Sequence, residues 1–177
     1  MCQNRCAFSV LPESLRQGSY NRALLRAAKE LAPASLSIEI FDLEAIPLYN
    51  ADVEAKGDPA PVAAFKSAIG KADGLLMATP EYNHGVPGVM KNAFDWASRP
   101  PRAAVLSGKP VGLIGASPGM TGTARGQSQL RQAFETDIPR MNISDEGAVW
   151  YCARTGVRGA VDVLYYDITK FKELGVR

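Results

Sequence analysis

A chain of 177 residues, 46% hydrophobic and 21% charged, has the size and composition of one folded domain and enough apolar surface to exclude intrinsic disorder. Twenty basic against eighteen acidic side chains leave a formal charge of +2, too mild a field to call for nucleic acid. No apolar run approaches the roughly 20 residues that span a bilayer, so no membrane partner is expected. Residues 7–11 are too short an apolar stretch for a signal-peptide core. The three cysteines cannot pair completely, and the setting is read as reducing and cytoplasmic. No metal site is expected, because His84 is the single histidine and no two pairs of residues have ligand spacing.

Short β-type runs alternate with helical stretches along the chain. Residues 7–11 form a first strand. Residues 22–31 read as a helix with Leu24, Leu25, Ala28 and Leu31 on one face. In 35–41 the apolar Leu36, Ile38 and Ile40 alternate with Ser35, Ser37 and Glu39, the pattern of a half-buried strand towards a sheet edge. A long connection over 42–60 is broken by Pro47, Gly57 and Pro59, and a second helix follows over 61–71 with Pro61 in its first turn. Residues 74–79 (Gly-Leu-Leu-Met-Ala-Thr) are apolar without alternation, as in a strand buried on both faces. A third helix is expected over 89–97, a strand over 110–116 and a fourth helix over 123–134. A fifth strand is expected over 148–153 and an amphipathic helix over 161–174.

Five strands alternating with five helices imply an α/β fold: a parallel sheet covered on both faces in one domain over 1–177. In such sheets ligands bind beyond the carboxyl ends of the strands. Three loops lie there: 12–20, 80–88 and 117–122. The first brings hydroxyls, an amide and a cation to a helix N-terminus, in Ser14, Arg16, Ser19 and Asn21. That arrangement suits a phosphate, or is simply a helix cap with a solvated arginine. The spacing is not that of a P-loop. The second loop, Thr-Pro-Glu-Tyr-Asn-His-Gly-Val-Pro-Gly at 79–88, is stiff and offers main-chain amides beside an aromatic ring. It could frame a flat hydrogen-bonding ring system, or be a proline-stiffened connection with Tyr82 as a boundary aromatic. His84, a lone loop histidine, reads as a contact residue or bystander. The third loop combines glycines with the hydroxyls of Ser117 and Thr121, and reads either as a close approach to a ligand or as a loose strand-to-helix turn.

Ser-Leu-Arg-x-Gly-Ser-Tyr-Asn at 14–21, followed by the 79–88 segment, resembles the NADPH-dependent FMN reductase family, which includes chromate, quinone and azo-dye reductases. Lys-Asn-Ala-Phe-Asp-Trp at 91–96, Gly-Lys-Pro-Val at 108–111 and Thr-Ala-Arg-Gly-Gln at 123–127 continue the match over roughly residues 14–134. The resemblance implies a flavodoxin-like three-layer fold with strand order 2-1-3-4-5 and non-covalent FMN. By motif position, Ser14, Arg16, Ser19 and Asn21 would bind the phosphate. Pro80, Glu81, Tyr82, Asn83 and Gly85 would border the isoalloxazine, and Ser117 and Gly119 would close its other side. It also implies a homodimer or homotetramer, with the helices after Gly88 and Gly122 as contacts.

The chain departs from the family at Pro12-Glu13, where a small Gly/Ser turn is usual, and after Phe134, where no family pattern aligns. The reaction implied is hydride transfer from NADPH or NADH to FMN, then reduction of a small-molecule acceptor such as a quinone, chromate, an azo dye or a flavin. Because the flavin carries the chemistry, no catalytic side chain is nominated. Two other readings keep the fold: a flavodoxin-type electron carrier, against which the isoelectric point near 8.4 speaks, and a flavin-free binding or scaffold protein produced by the Pro12-Glu13 change.

Overall fold

The computed structural model describes residues 6–12, 15–118, 122–137, 148–151 and 158–161. Four parallel strands make the main sheet: β1 (Cys6–Pro12), β2 (Leu36–Ile40), β3 (Gly74–Ala78) and β4 (Val111–Ile114), in the order β2-β1-β3-β4. The alternating strand β2 is indeed an edge, with Ile38 buried and Glu39 and Ile40 exposed. The non-alternating β3 lies between β1 and β4 and supplies apolar residues to both faces, as a period of two requires. Leu75 and Met77 enter one apolar cluster, while Leu76 and Ala78 belong to the other.

Helix α1 (Tyr20–Leu31) covers one face, where Leu25 packs with Ile38, Ala78 and Ile114. The helices α3 (Ala60–Lys71), α4 (Gly88–Ala97) and α5 (Ala124–Asp137) cover the other with the larger cluster, which includes Phe65, Ile69, Met90, Trp96 and Leu130. Burying a side chain of this size stabilises the fold by roughly 1.5–3 kcal/mol before chain entropy is counted. Pro61 falls in the first turn of α3, where its missing N–H has no helical acceptor to lose. No helix among the described residues is long and apolar enough to cross a membrane.

Two stretches differ from expectation. The connection over 42–60 contains a one-turn helix, α2 (Ala51–Glu54), capped by the Asn50 side chain, which accepts from the Asp52 N–H at 2.8 Å. The same connection is anchored to α4. The Asn92 side chain accepts from Tyr49 N–H (2.7 Å) and donates to the Pro47 carbonyl (2.9 Å), which Trp96 Nε1 also reaches at 2.8 Å. The second difference is at the end of the chain. The expected fifth parallel strand is β5 (Ala148–Tyr151), but it pairs antiparallel with β6 (Arg158–Val161) in a separate two-stranded sheet. The order 2-1-3-4-5 is thus seen only through its first four positions. A partner a few residues away closes a far shorter loop than a parallel crossover does. Val161, expected to open a helix, ends β6; the rest of that expected helix lies outside the described residues.

Candidate functional site

Strand register determines where the three loops meet. Pro12 pairs with Ala78, and Ala78 pairs with Ile114. The three strands therefore end in one row, and the loops that follow them leave from the same edge of the sheet.

After β1, the main chain turns at Arg16, whose carbonyl accepts from Ser19 N–H at 3.1 Å. Arg16 is exposed, and its guanidinium lies over Gly18, within 3.6 Å of where a Cβ would stand. Among the described residues no carboxylate pairs with it. Ser19 is the N-cap of α1, its hydroxyl accepting from Arg22 N–H. No acidic residue occupies the first turn of α1. The Arg22 guanidinium there is held by Asp42 at 2.9 Å. Burial alone would raise Asp42, but the hydrogen bond from Arg22 and the main-chain N–H groups of Glu44 and Leu43 outweigh it and hold the carboxyl below its usual range. Asn21 is buried, and its amide bonds the third loop: it accepts from Ala116 N–H at 2.9 Å and donates to the Ala116 carbonyl at 3.0 Å. Its side chain ties α1 to the end of β4, with one further N–H and one further lone pair on the amide beyond these two bonds.

After β3, Thr79 and Pro80 are buried and the chain then forms a two-residue hairpin. Tyr82 and Gly85 exchange both main-chain hydrogen bonds, at 3.1 and 3.0 Å, and the central residues Asn83 and His84 have φ of 51° and 62°. Positive φ at both centres is the geometry of a primed turn, which Asn tolerates well. Their own N–H groups have no partner among the described residues. Tyr82 is 52% exposed at the rim.

Glu81 turns inward. Its carboxylate accepts from the first-turn N–H groups of Arg125 (2.9 Å) and Gly126 (3.2 Å) on α5. A carboxylate there satisfies two orphan donors and complements the helix dipole. Burial pushes its pKa up, but those two amides, with the His84 ring 3.5 Å away and the Arg125 guanidinium, outweigh burial and set it below the usual carboxylate range. Gln129, one turn further, accepts from Val86 N–H at 2.8 Å. The hairpin and α5 approach so closely that a Cβ on Gly126 would stand 3.3 Å from the Pro80 carbonyl, and one on Gly85 2.8 Å from Gln129 Oε1.

After β4, Gly115 permits an even closer contact. A Cβ there would fall 2.0 Å from Thr123 Oγ1 and 2.7 Å from the Thr79 carbonyl. Thr123 is buried and accepts from Gln127 Nε2 at 2.9 Å, while Ser117 is half-buried beside this junction.

Of the residues singled out in the sequence, Arg16, Ser19, Asn21, Pro80, Glu81, Tyr82, Asn83, Gly85 and Ser117 lie on these three loops or the helix starts they feed. Ser14 and Gly119 lie outside the described residues. Sequence reasoning did not find Gln129 or Arg125 as the partners of the second loop. The spacing of Gly126 and Gln129 on one helix was a signal only once α5 was known to face the hairpin.

The profile of the family described as NADPH-dependent FMN reductase matches residues 9–152. An NAD(P)H-dependent FMN reductase of Pseudomonas aeruginosa is 56% identical over 121 residues, which are 68% of this chain and 65% of that protein. This chain thus spans slightly less than two thirds of that relative. A 2-hydroxy-1,4-benzoquinone reductase of Burkholderia sp. is 48% identical over 135 residues, 76% of this chain and 73% of the relative. Among solved structures, the flavoenzyme NAD(P)H:(acceptor) oxidoreductase FerB of Paracoccus denitrificans superposes with a TM-score of 0.73 at 33% identity, covering 97% of this chain and 93% of FerB. With a flavodoxin-like sheet, three loops on one row of strand ends and a family profile that runs from β1 into β5, the chain belongs to the NADPH-dependent FMN reductase family.

Proposed function

We propose that this protein is an FMN-containing NAD(P)H-dependent oxidoreductase that reduces small-molecule acceptors: quinones first, with chromate, azo dyes and free flavin as further substrates of an open ring face. The observation that carries this reading is the alignment of Pro12, Ala78 and Ile114 in one row, which gathers the family's loop segments at a single edge. The donor set suits FMN. Arg16, the Ser19 cap and the first-turn N–H groups of α1, a turn without an acidic residue, form a cationic end for the phosphate, to which the family motif adds Ser14. Pro80, Tyr82, Asn83 and Gly85 border the ring, with the outward N–H groups of Asn83 and His84 as donors along its polar edge. Ser117 closes the other side from the third loop, and the family motif adds Gly119 to that role. Asn21 at the phosphate end and Glu81 beside the ring also hold these loops in place through their side-chain hydrogen bonds.

The chemistry FMN supplies when bound is hydride acceptance from the nicotinamide and electron delivery to the acceptor. The protein's part is orientation. The hairpin presents main-chain dipoles fixed before the ligand arrives, so they need no reorganisation as charge develops on the ring. Tyr82 stands at the rim without covering it, leaving one face for nicotinamide and acceptor to use in turn, a ping-pong scheme. A cytoplasmic homodimer or homotetramer through α4 and α5 belongs to the same proposal.

The test is the visible spectrum of desalted protein supplied with FMN, then with NADPH in the absence of oxygen, then with a quinone. A yellow protein that bleaches with NADPH and recovers its colour with quinone supports the reading. Protein that takes up no FMN, or whose bound FMN does not respond to NADPH, contradicts it.

A further inference from the structure

The connection over 42–60 holds a side chain that the ring and phosphate contacts do not use. Leu48 is 84% exposed, yet the main chain on either side of it is pinned to α4. The Pro47 carbonyl accepts from Asn92 Nδ2 at 2.9 Å and from Trp96 Nε1 at 2.8 Å, and Tyr49 N–H donates to Asn92 Oδ1 at 2.7 Å. The Tyr49 ring stands edge-on to Trp96, with centroids 5.1 Å apart, and its hydroxyl donates to Glu54 at 2.7 Å. A leucine is thus held out into solvent on a fixed support. Val53, 37% exposed, lies on the one-turn helix that the Tyr49–Glu54 bond ties to this support, and no residue of that helix is buried.

Exposure alone decides nothing, because single apolar side chains in water are ordinary. Leu31 is just as exposed, at 83%, but it is the last residue of α1. What distinguishes Leu48 is the support. A side chain presented on a rigid main chain has less freedom to lose when another surface covers it. Asn92 and Trp96, which build the support, belong to the 91–96 segment that continues the family match. Their side-chain hydrogen bonds go to residues 47–49 and not to the three loops of the flavin site. A device carried by such residues fits a partner that every chain of the kind brings with it, a copy of itself.

The charges around Leu48 agree. Asp52 and Glu54 are the acids of α2. Lys91, which pairs with Asp95 in the same chain, lies on α4, and the Arg99 guanidinium follows it, 5.8 Å from the Tyr49 ring. A rim of both signs is self-complementary about a two-fold axis, because the acids of one copy can face the bases of the other. A partner of a single sign would meet repulsion from part of it.

Building on the assembly through α4 proposed above, we infer that Leu48 anchors a two-fold contact between copies of this chain. Leu48 and Val53 of one subunit pack against the same pair of the partner, with Asp52 and Glu54 facing Lys91 and Arg99 across the axis.

The test follows the association of FMN-supplemented protein by analytical ultracentrifugation over a wide range of concentration. Leu48→Asp is expected to weaken one association step by about a hundredfold or more, because each contact buries the leucine of both copies. The assembly then falls from tetramer to dimer or from dimer to monomer. The side chain is exposed within its own subunit, so the variant keeps its fold, which far-UV circular dichroism checks. Leu31→Asp, on the helix that covers the opposite face of the sheet, is expected to leave association unchanged. Asn92→Ala keeps Leu48 but removes its support, and should weaken the same step by a smaller factor.

Association of Leu48→Asp at wild-type strength overturns the inference and leaves an assembly through α4 and α5 standing. Equal weakening by Leu48→Asp and Leu31→Asp overturns it as well, since any exposed leucine would then serve. So does a wild-type association that grows without closing, which a two-fold contact excludes. A wild-type chain that stays a single subunit contradicts both this inference and the assembly. Its colour with FMN and its bleaching by NADPH still decide the reductase reading separately.

Discussion

At the β1–α1 end of the site, Arg16 is exposed and pairs with no carboxylate among the described residues, and the helix end beside it carries no acid. At the β3–α4 end the side chains are already committed. Glu81 is buried against the first turn of α5, Val86 N–H is held by Gln129, and Gly126 lets two backbones approach within a contact that a side chain would crowd. One end offers charge to a ligand; the other offers a rigid main chain. A phosphate can be held by flexible cations because charge attraction is forgiving of direction. A flat ring with fixed donors and acceptors needs a frame that does not move. The division suits a ligand with an anionic tail and a planar head.

The comparison breaks first where the frame is tightest. In Gly115→Ala the new Cβ meets Thr123 Oγ1 and, more seriously, the Thr79 carbonyl at 2.7 Å, which is backbone and cannot swing aside. A loss of about 3 kcal/mol or more is expected, read as a lower urea midpoint. The control is Gly88→Ala, where the added Cβ meets nothing within 4 Å in the first turn of α4. It should gain up to about 1 kcal/mol from helix propensity. Equal behaviour of the two variants would mean that the junction is not close-packed.

Asn21→Ala comes next. It removes both partners of Ala116 in a buried place, at an expected cost of about 2–3 kcal/mol. Hydrogen exchange at the Ala116 amide should accelerate with it. Unchanged protection there would show that Asn21 does not tie the first loop to the third.

Glu81→Gln is the mildest. The uncharged amide keeps the shape of the cap and loses the charge–dipole attraction, about 1 kcal/mol. Its signature is pH. The carboxyl is depressed in the folded state, so its contribution is complete above the ordinary carboxylate range and disappears as pH falls through the folded value. From about pH 5 to about pH 3 the wild-type protein should lose stability more steeply than Glu81→Gln. Parallel curves would place the carboxylate elsewhere.

Most of the main sheet was legible because each strand carries its environment in its pattern. Alternation marked β2 as an edge, and an unbroken apolar run marked β3 as central. The helices α1, α3, α4 and α5 begin and end within a few residues of expectation, since 3.6-residue periodicity and flanking turn residues act locally. What was missed is short or non-local. The one-turn α2 is too brief for a period to register; only Asn50 as a cap before Asp52 and Glu54 announced it. The pairing of β5 with β6 is a choice of partner, which no single segment encodes.

At the site, residue types pointed to three loops that the strand register brings to one sheet edge, but not to the hydrogen bonds each side chain makes inside the fold. Asn21 and Glu81 are nominated as cofactor contacts by their place in the family motif, which says nothing of their partners inside the chain. In the folded chain their hydrogen bonds go to the main chain of Ala116 and to the first turn of α5, since that backbone would otherwise be left unsatisfied.

The most direct measurement is the affinity of the desalted protein for FMN against riboflavin, which lacks the phosphate, in the wild type and in Arg16→Ala, followed by quenching of flavin fluorescence. If Arg16 and the start of α1 hold an anionic tail while the hairpin frames the ring, FMN binds well above riboflavin. Arg16→Ala then weakens FMN by about 1.5–3 kcal/mol and leaves riboflavin nearly as it was. Equal affinity for the two flavins, or an Arg16→Ala loss shared by both, would contradict the division of labour between the two ends of the site.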